Sequence, residues 1–210
     1  MATHAKPRTN RTTLLTAAAS VVTLVVAGIV VAVLLGSGGS SSASVPYRDP
    51  AAAGALGLCS KAGVQITSGS TTTKPFAWRA VSTSAAPRPY ASGTATLYAF
   101  QPREGVTPDG WSGEMITASS RYRNDAHPTA AATGADIDLA DFLTAYPAQY
   151  HGFVQLRLYL GGPNLPLRTT SYATADIQVS GSTWRQIGAP HVDCAVGMSA
   201  VSLETEVQPS

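Results

Sequence analysis

The chain has 210 residues, with 14 Lys and Arg against 12 Asp and Glu and 44% hydrophobic side chains, for a formal net charge of +2. That length suits one ordinary domain with some chain to spare. The charge is unevenly spread. Lys6, Arg8 and Arg11 are the only charged side chains of residues 1–13, and from Val45 onward 14 − 3 = 11 basic side chains stand against 12 acidic ones, a net of −1. A nearly neutral body excludes a nucleic-acid-binding domain, which needs a basic face to displace counterions from phosphate. Its apolar content excludes wholesale disorder.

Leu14–Leu35 holds 18 apolar residues out of 22 and no charge; only Thr16, Ser20, Thr23 and Gly28 interrupt it. As a helix it would reach roughly 33 Å, enough for a hydrocarbon core of about 30 Å. A single N-terminal transmembrane helix is therefore predicted, with the lipid bilayer as its partner. The basic tail 1–13 places the N-terminus in the cytoplasm and the C-terminal body outside. A cleavable signal peptide is the competing reading, with Ser41-Ser42-Ala43 as its processing site and a secreted body as its result. The apolar stretch exceeds the roughly 7–15 residues usual for a signal peptide, which favours a retained anchor in the cell membrane.

Residues 36–54 read as a linker. Nine Gly, Ser and Ala residues from Gly36 to Ser44 make a flexible coil, and Pro46 and Pro50 stiffen the segment after it. An extracytoplasmic domain is expected over 55–207. Its two cysteines, Cys59 and Cys194, stand near its ends. Outside the membrane, an even count without a CxxC motif predicts one structural disulfide.

Short apolar runs between Gly, Pro and Ser clusters predict strands in chain order. Gly57–Cys59 and Val64–Thr67 flank the turn Ser60-Lys61-Ala62-Gly63. Phe76–Ser82, Thr94–Gln101 and Glu114–Arg123 follow. Phe153–Leu160 is the most regular, with Val154, Leu156, Leu158 and Leu160 alternating against Phe153, Gln155, Arg157 and Tyr159. That alternation predicts a strand buried on one face only. Ser171–Ser180 and Ser182–Ile187 read as a hairpin through Gly181, and Ala195–Glu204 as the last strand. One short helix interrupts them. Asp138 is its cap, Asp141 supports its N-terminus, Leu139, Phe142, Leu143 and Tyr146 form its apolar face, and Pro147 ends it. The pattern predicts a mostly β body, an antiparallel β-sandwich of immunoglobulin-like or jelly-roll-like topology with one short helix.

Motifs for chemistry are sparse. His127, His151 and His191 are far apart, and His191-Val192-Asp193-Cys194 offers too few ligands for a zinc site. Gly110-Trp111-Ser112-Gly113-Glu114 and Gly197-Met198-Ser199-Ala200-Val201 both miss the Gly-x-Ser-x-Gly nucleophile elbow. Asp136-Ile137-Asp138-Leu139-Ala140-Asp141 lacks the turn glycine and distal Glu of a calcium loop. No catalytic residue, metal or cofactor is assigned. Glu104, Asp109 and Glu114 are the nearest approach to a glycosidase carboxylate set. Trp111, among turn formers, is the candidate ligand or partner contact together with Tyr122. An exposed indole there would stack on sugar rings or anchor a partner, whereas a buried one plugs its loop.

Eleven Arg against three Lys, abundant Ala, and stretches such as Thr67-Ser68-Gly69-Ser70, Pro128-Thr129-Ala130 and Leu139-Ala140-Asp141-Phe142-Leu143 accompany the basic tail, single span and Gly/Ser linker. In this layout the chain resembles actinobacterial single-pass envelope proteins. The resemblance implies a location and carries over no catalytic residue. A tethered envelope protein acting by protein interaction or as scaffolding is the expected function. A cell-wall carbohydrate-binding module is the alternative, and a hydrolase comes last because no nucleophile–base pair is visible.

Overall fold

A computed structural model describes residues 44–197 and 201–202. The basic tail, the apolar stretch Leu14–Leu35 and linker residues 36–43 lie outside the described residues. Among the described ones, no helix is long and apolar enough to cross a membrane.

The body is built of β1 (Ala52–Cys59), β2 (Gln65–Ile66), β3 (Ser68–Ser70), β4 (Arg79–Ser82), β5 (Thr94–Gln101), β6 (Ser112–Met115), β7 (Ser120–Arg121) and β8 (Thr129–Ala131). Helix α1 (Leu139–Ala145) is next, then β9 (Phe153–Gly162), β10 (Leu165–Ser180), β11 (Thr183–Ile187), the single turn α2 (Cys194–Gly197) and β12 (Val201–Ser202). The expected mostly β body is present, and its strands join one large mixed sheet in the order β12-β7-β5-β9-β10-β1-β4-β8.

One pair departs from the antiparallel expectation. The N-terminal half of β1 runs parallel to β10, Gly54 opposite Ala173 and Ala55 opposite Thr174, while its C-terminal half runs antiparallel to β4, Leu56 opposite Ser82. Alternation along a strand records which face is buried and carries no information about the direction of its neighbour. A parallel pair needs a long crossover, and here nearly the whole body supplies it. The path also curls. Ala131 N in β8 donates to Ser120 Oγ in β7 at 2.8 Å, which draws the two ends of the sheet together.

Leu56 and Leu58 of β1, Leu97 of β5, Val154, Leu156 and Leu158 of β9, and Ile177 of β10 fill the core inside this curl. Each fully buried aliphatic side chain contributes about 1.5–3 kcal/mol. Helix α1 closes one side with Leu139 and Phe142. Asp138 Oδ1 accepts from Asp141 N at 2.8 Å, so the cap is where the sequence placed it. At the β10–β11 hairpin, Gly181 takes φ 56°, a left-handed value that glycine adopts without penalty.

Cys59 and Cys194 are bonded, with Cα atoms 5.8 Å apart across a separation of 135 residues. Val81 and Val192 pack around them. Gly57 admits this contact, because a Cβ there would sit 2.1 Å from Val192 Cγ2. The strand expected over Ala195–Glu204 is replaced at its start by α2, and its remnant β12 pairs with β7, Val201 opposite Arg121. Sulfur bonding ties Cys194 to β1, and the chain turns away there instead of continuing into a ladder. The folded body also begins earlier than residue 55, since β1 starts at Ala52 and Tyr47 and Asp49 are bonded to β10.

Candidate functional site

The site forms on the outer face of β5, β9 and β10. Period two in β9 sends Val154, Leu156, Leu158 and Leu160 into the core and Phe153, Gln155, Arg157 and Tyr159 to the opposite side. The half-buried strand expected here is instead buried along both faces from Phe153 to Gly161. Two segments cover its outer face, the strap Tyr47–Ala51 and the loop 103–111. Neither cover is visible in the alternation of β9, because both come from distant parts of the chain.

Arg157 is the centre of this layer. Its Nε donates to Gln155 Oε1 at 2.7 Å and its Nη2 to the Pro108 carbonyl at 2.9 Å. Nη2 also lies 3.5 Å from Asp49 Oδ2. The guanidinium carbon stands 4.0 Å from the Phe100 ring centroid and 4.8 Å from that of Tyr172. A planar, weakly hydrated cation tolerates such a setting better than an ammonium would. Tyr172 OH donates to Asp49 Oδ2 at 2.9 Å, and Tyr47 OH to Asp176 Oδ1 at 2.7 Å. Tyr98 and Tyr159 approach to 4.9 Å between centroids, and Tyr159 and Tyr172 to 5.2 Å.

Burial sets the protonation states here. Desolvation raises the Asp176 carboxyl above its usual range, against hydrogen bonds from Tyr47 and Gln155 that favour its charged form. The Tyr47, Tyr159 and Tyr172 phenols are raised chiefly by burial too. They therefore stay neutral, and remain hydrogen-bond donors, at physiological pH.

Beside the strap opens a cleft of about 730 Å³, with Phe100, Tyr159 and Tyr172 on its walls and Arg157 and Asp49 among its polar groups. Thr107, Asp109, Thr169 and Thr170 add further hydroxyl and carboxylate groups. A thread of hydrogen-bonding groups in an aromatic wall at this size is the usual form of a small-ligand site. A second cavity of about 180 Å³ beside the disulfide includes His127 and His191. His127 Nδ1 there lies 3.1 Å from the Ser82 carbonyl.

Trp111 is 5% exposed and Tyr122 1%. The indole Nε1 donates to the Val106 carbonyl at 2.9 Å, and its ring meets Tyr47 edge-on at 4.8 Å. Trp111 thus plugs its loop and supports the strap, and it offers no free face for stacking. Tyr122 sits in the core with its hydroxyl donating to the Tyr90 carbonyl. The two are not brought together. Of the three carboxylates considered for sugar hydrolysis, Asp109 lines the cleft, while Glu104 and Glu114 do not. Among the described residues, no three His, Cys, Asp or Glu side chains gather as a metal site.

No family model, curated protein or solved structure matches the chain.

Sequence reasoning passed over Asp49, Arg157, Tyr159 and Tyr172. One signal was available. Arg157 is a charge at the centre of the most regular apolar strand, and a charge in such a place needs a partner. Nothing local names Asp49 as that partner.

Proposed function

We propose that this protein is tethered in the cell envelope by Leu14–Leu35 and presents its β body outside the membrane as a binding module. The charge-free stretch behind a basic tail and the Cys59–Cys194 disulfide support export. A two-layered, sandwich-like body belongs to this reading, supported by the packing of β8 against β5 and β7. The observation that carries binding is the cleft beside the strap, where aromatic walls meet a buried Arg157–Asp49 pair. A site on the outer face of a sheet leaves the core intact and faces whatever surrounds the body.

Protein interaction or scaffolding is the broad form of this function, and cell-wall glycan binding is its second form. The aromatic lining of the cleft favours the second, with half-buried Phe100 in the stacking part that an exposed Trp111 would have played. The test uses the full chain in detergent, offered in parallel to solubilised envelope proteins under crosslinking and to purified wall polysaccharide. Capture of a defined envelope protein, or retention on the wall, is the expected result. A chain that stays monomeric under crosslinking and passes the wall material unretarded would overturn the proposal. Fractionation provides the independent check on location: the intact chain should resist extraction by high salt and yield to detergent.

A further inference from the structure

We infer that the cleft between the strap Tyr47–Ala51 and the outer face of β9 and β10 is a binding site for a short, uncharged saccharide. This rests on the binding-module reading above and names the ligand class of the same site. Three observations carry it. Shape is the first: the cleft holds about 730 Å³, within the roughly 300–1,000 Å³ common for small ligands. Its concavity suits a compact ligand or a chain end better than the flat patch typical of protein contact.

The second is surface chemistry. A pyranose presents C–H groups on its faces and hydroxyls around its edge. Half-buried Phe100 offers aromatic surface to the former, backed by the buried rings of Tyr159 and Tyr172. The exposed Thr107, Thr169 and Thr170 hydroxyls and the exposed Asp109 carboxylate offer partners to the latter, and a carboxylate can address two neighbouring hydroxyls at once.

Charge is the third. Arg48 and Arg157 line the cleft together with Asp49 and Asp109, two cations against two anions, and Arg157 already has Asp49 at 3.5 Å. With that pair compensating itself, exposed Arg48 and Asp109 leave one cation against one anion, so the cleft has no net charge to select a phosphate or a cation. Among the described residues, the large exposed apolar side chains are Val64 before β2, Met115 on β6, and Leu165 and Leu167 on β10, and none of them lines the cleft.

The full chain in detergent is titrated with maltotriose, cellotriose and chitotriose, and with a sugar phosphate and a hexuronate trimer for comparison. Tryptophan emission is one readout, since Trp111 lies 5.3 Å from Arg157 at the cleft; calorimetry is the other. At least one neutral trisaccharide is expected to bind, with the charged sugars about tenfold weaker or silent. Phe100→Ala removes a wall and Thr170→Trp fills the cleft mouth from an exposed position. Each should weaken binding by about tenfold or more, while the distant Val64→Ser leaves it unchanged. Equal binding by wild type and Thr170→Trp would place the ligand elsewhere and overturn the inference. Preference for the charged sugars overturns it too. If no sugar binds but a crosslinked envelope protein is lost in Thr170→Trp, the saccharide assignment fails and the binding-module reading stands. If neither sugar nor protein is captured, both fail.

Discussion

Arg157 Nη2 lies 3.5 Å from Asp49 Oδ2, and both side chains are only 3% exposed. Asp49 comes from the segment that leads into the body and Arg157 from the middle of its central strand. The pair therefore locks the strap onto the sheet and builds one wall of the cleft at the same time. Such a pair adds little net stability over an apolar equivalent, but breaking it leaves a buried charge alone.

Asp49→Ala should therefore cost about 3–5 kcal/mol. Tyr172→Phe removes one hydrogen bond to the same carboxylate and keeps the ring, at a cost of about 2 kcal/mol. Urea denaturation of the two variants checks the order. Equal midpoints for Asp49→Ala and wild type would mean that the strap is not held by this pair.

Asp176 should give stability a downward slope on the acid side. Burial raises its folded carboxyl above the unfolded value of about 3.9. The folded chain holds that proton more tightly, so the contribution is complete below about pH 3.9 and is lost as pH rises through the folded value. Asp176→Asn cannot titrate, and it should flatten this part of the profile of denaturation midpoint against pH. An unchanged slope would assign the proton to another group.

At alkaline pH the buried phenols act together. Tyr122 is pushed up to about 12, chiefly by burial, and Tyr47, Tyr159 and Tyr172 are raised for the same reason. Unfolded tyrosines ionise near pH 10, so stability is full below that value and falls as pH climbs toward the folded values. Phenolate absorbance should show these four appearing together with unfolding. Their smooth titration in a folded chain would contradict their burial.

Reduction of Cys59–Cys194 should be costly. Closing a loop with a separation of 135 residues is worth about 4–5 kcal/mol in the chain-entropy model, as an upper estimate. The Cys59→Ser, Cys194→Ser double variant should melt well below the oxidised parent, at the level of the parent in dithiothreitol. A reductant-insensitive parent would show that the ends of the body hold without the bond.

At helix α1 the expected effects are small and ordered. Asp138→Ala removes the 2.8 Å cap bond to Asp141 N and should cost about 1 kcal/mol. Lys74→Ala loses only a solvent-exposed pair with Asp141 at 3.8 Å, worth well under about 1 kcal/mol. Thermal melts of both variants test the ranking, and a larger loss for Lys74→Ala would reverse it.

Local chemistry makes much of the body legible from the chain alone. Strand β5 runs over Thr94–Gln101 as expected, and the Asp138 cap and the apolar face of α1 are in place. The turn after Cys59 joins two paired strands, Leu58 opposite Ile66. Periodicity, capping and turn chemistry act over a few residues, so a linear reading captures them. Trp111 shows where this stops. Turn formers on either side left both an exposed indole and a loop plug open, and the Val106 carbonyl and the Tyr47 ring decided for the plug.

By itself, the sequence determined the charge-free apolar stretch, a neutral β-rich body, its helix and the pairing of its only two cysteines. Each of these comes from composition or from neighbours in the chain. Only the tertiary structure decided that β1 runs parallel to β10, that both faces of β9 are buried, and that Asp49 meets Arg157. Those relations join residues far apart in sequence, and the desolvation and packing that select them exist only once the chain has folded.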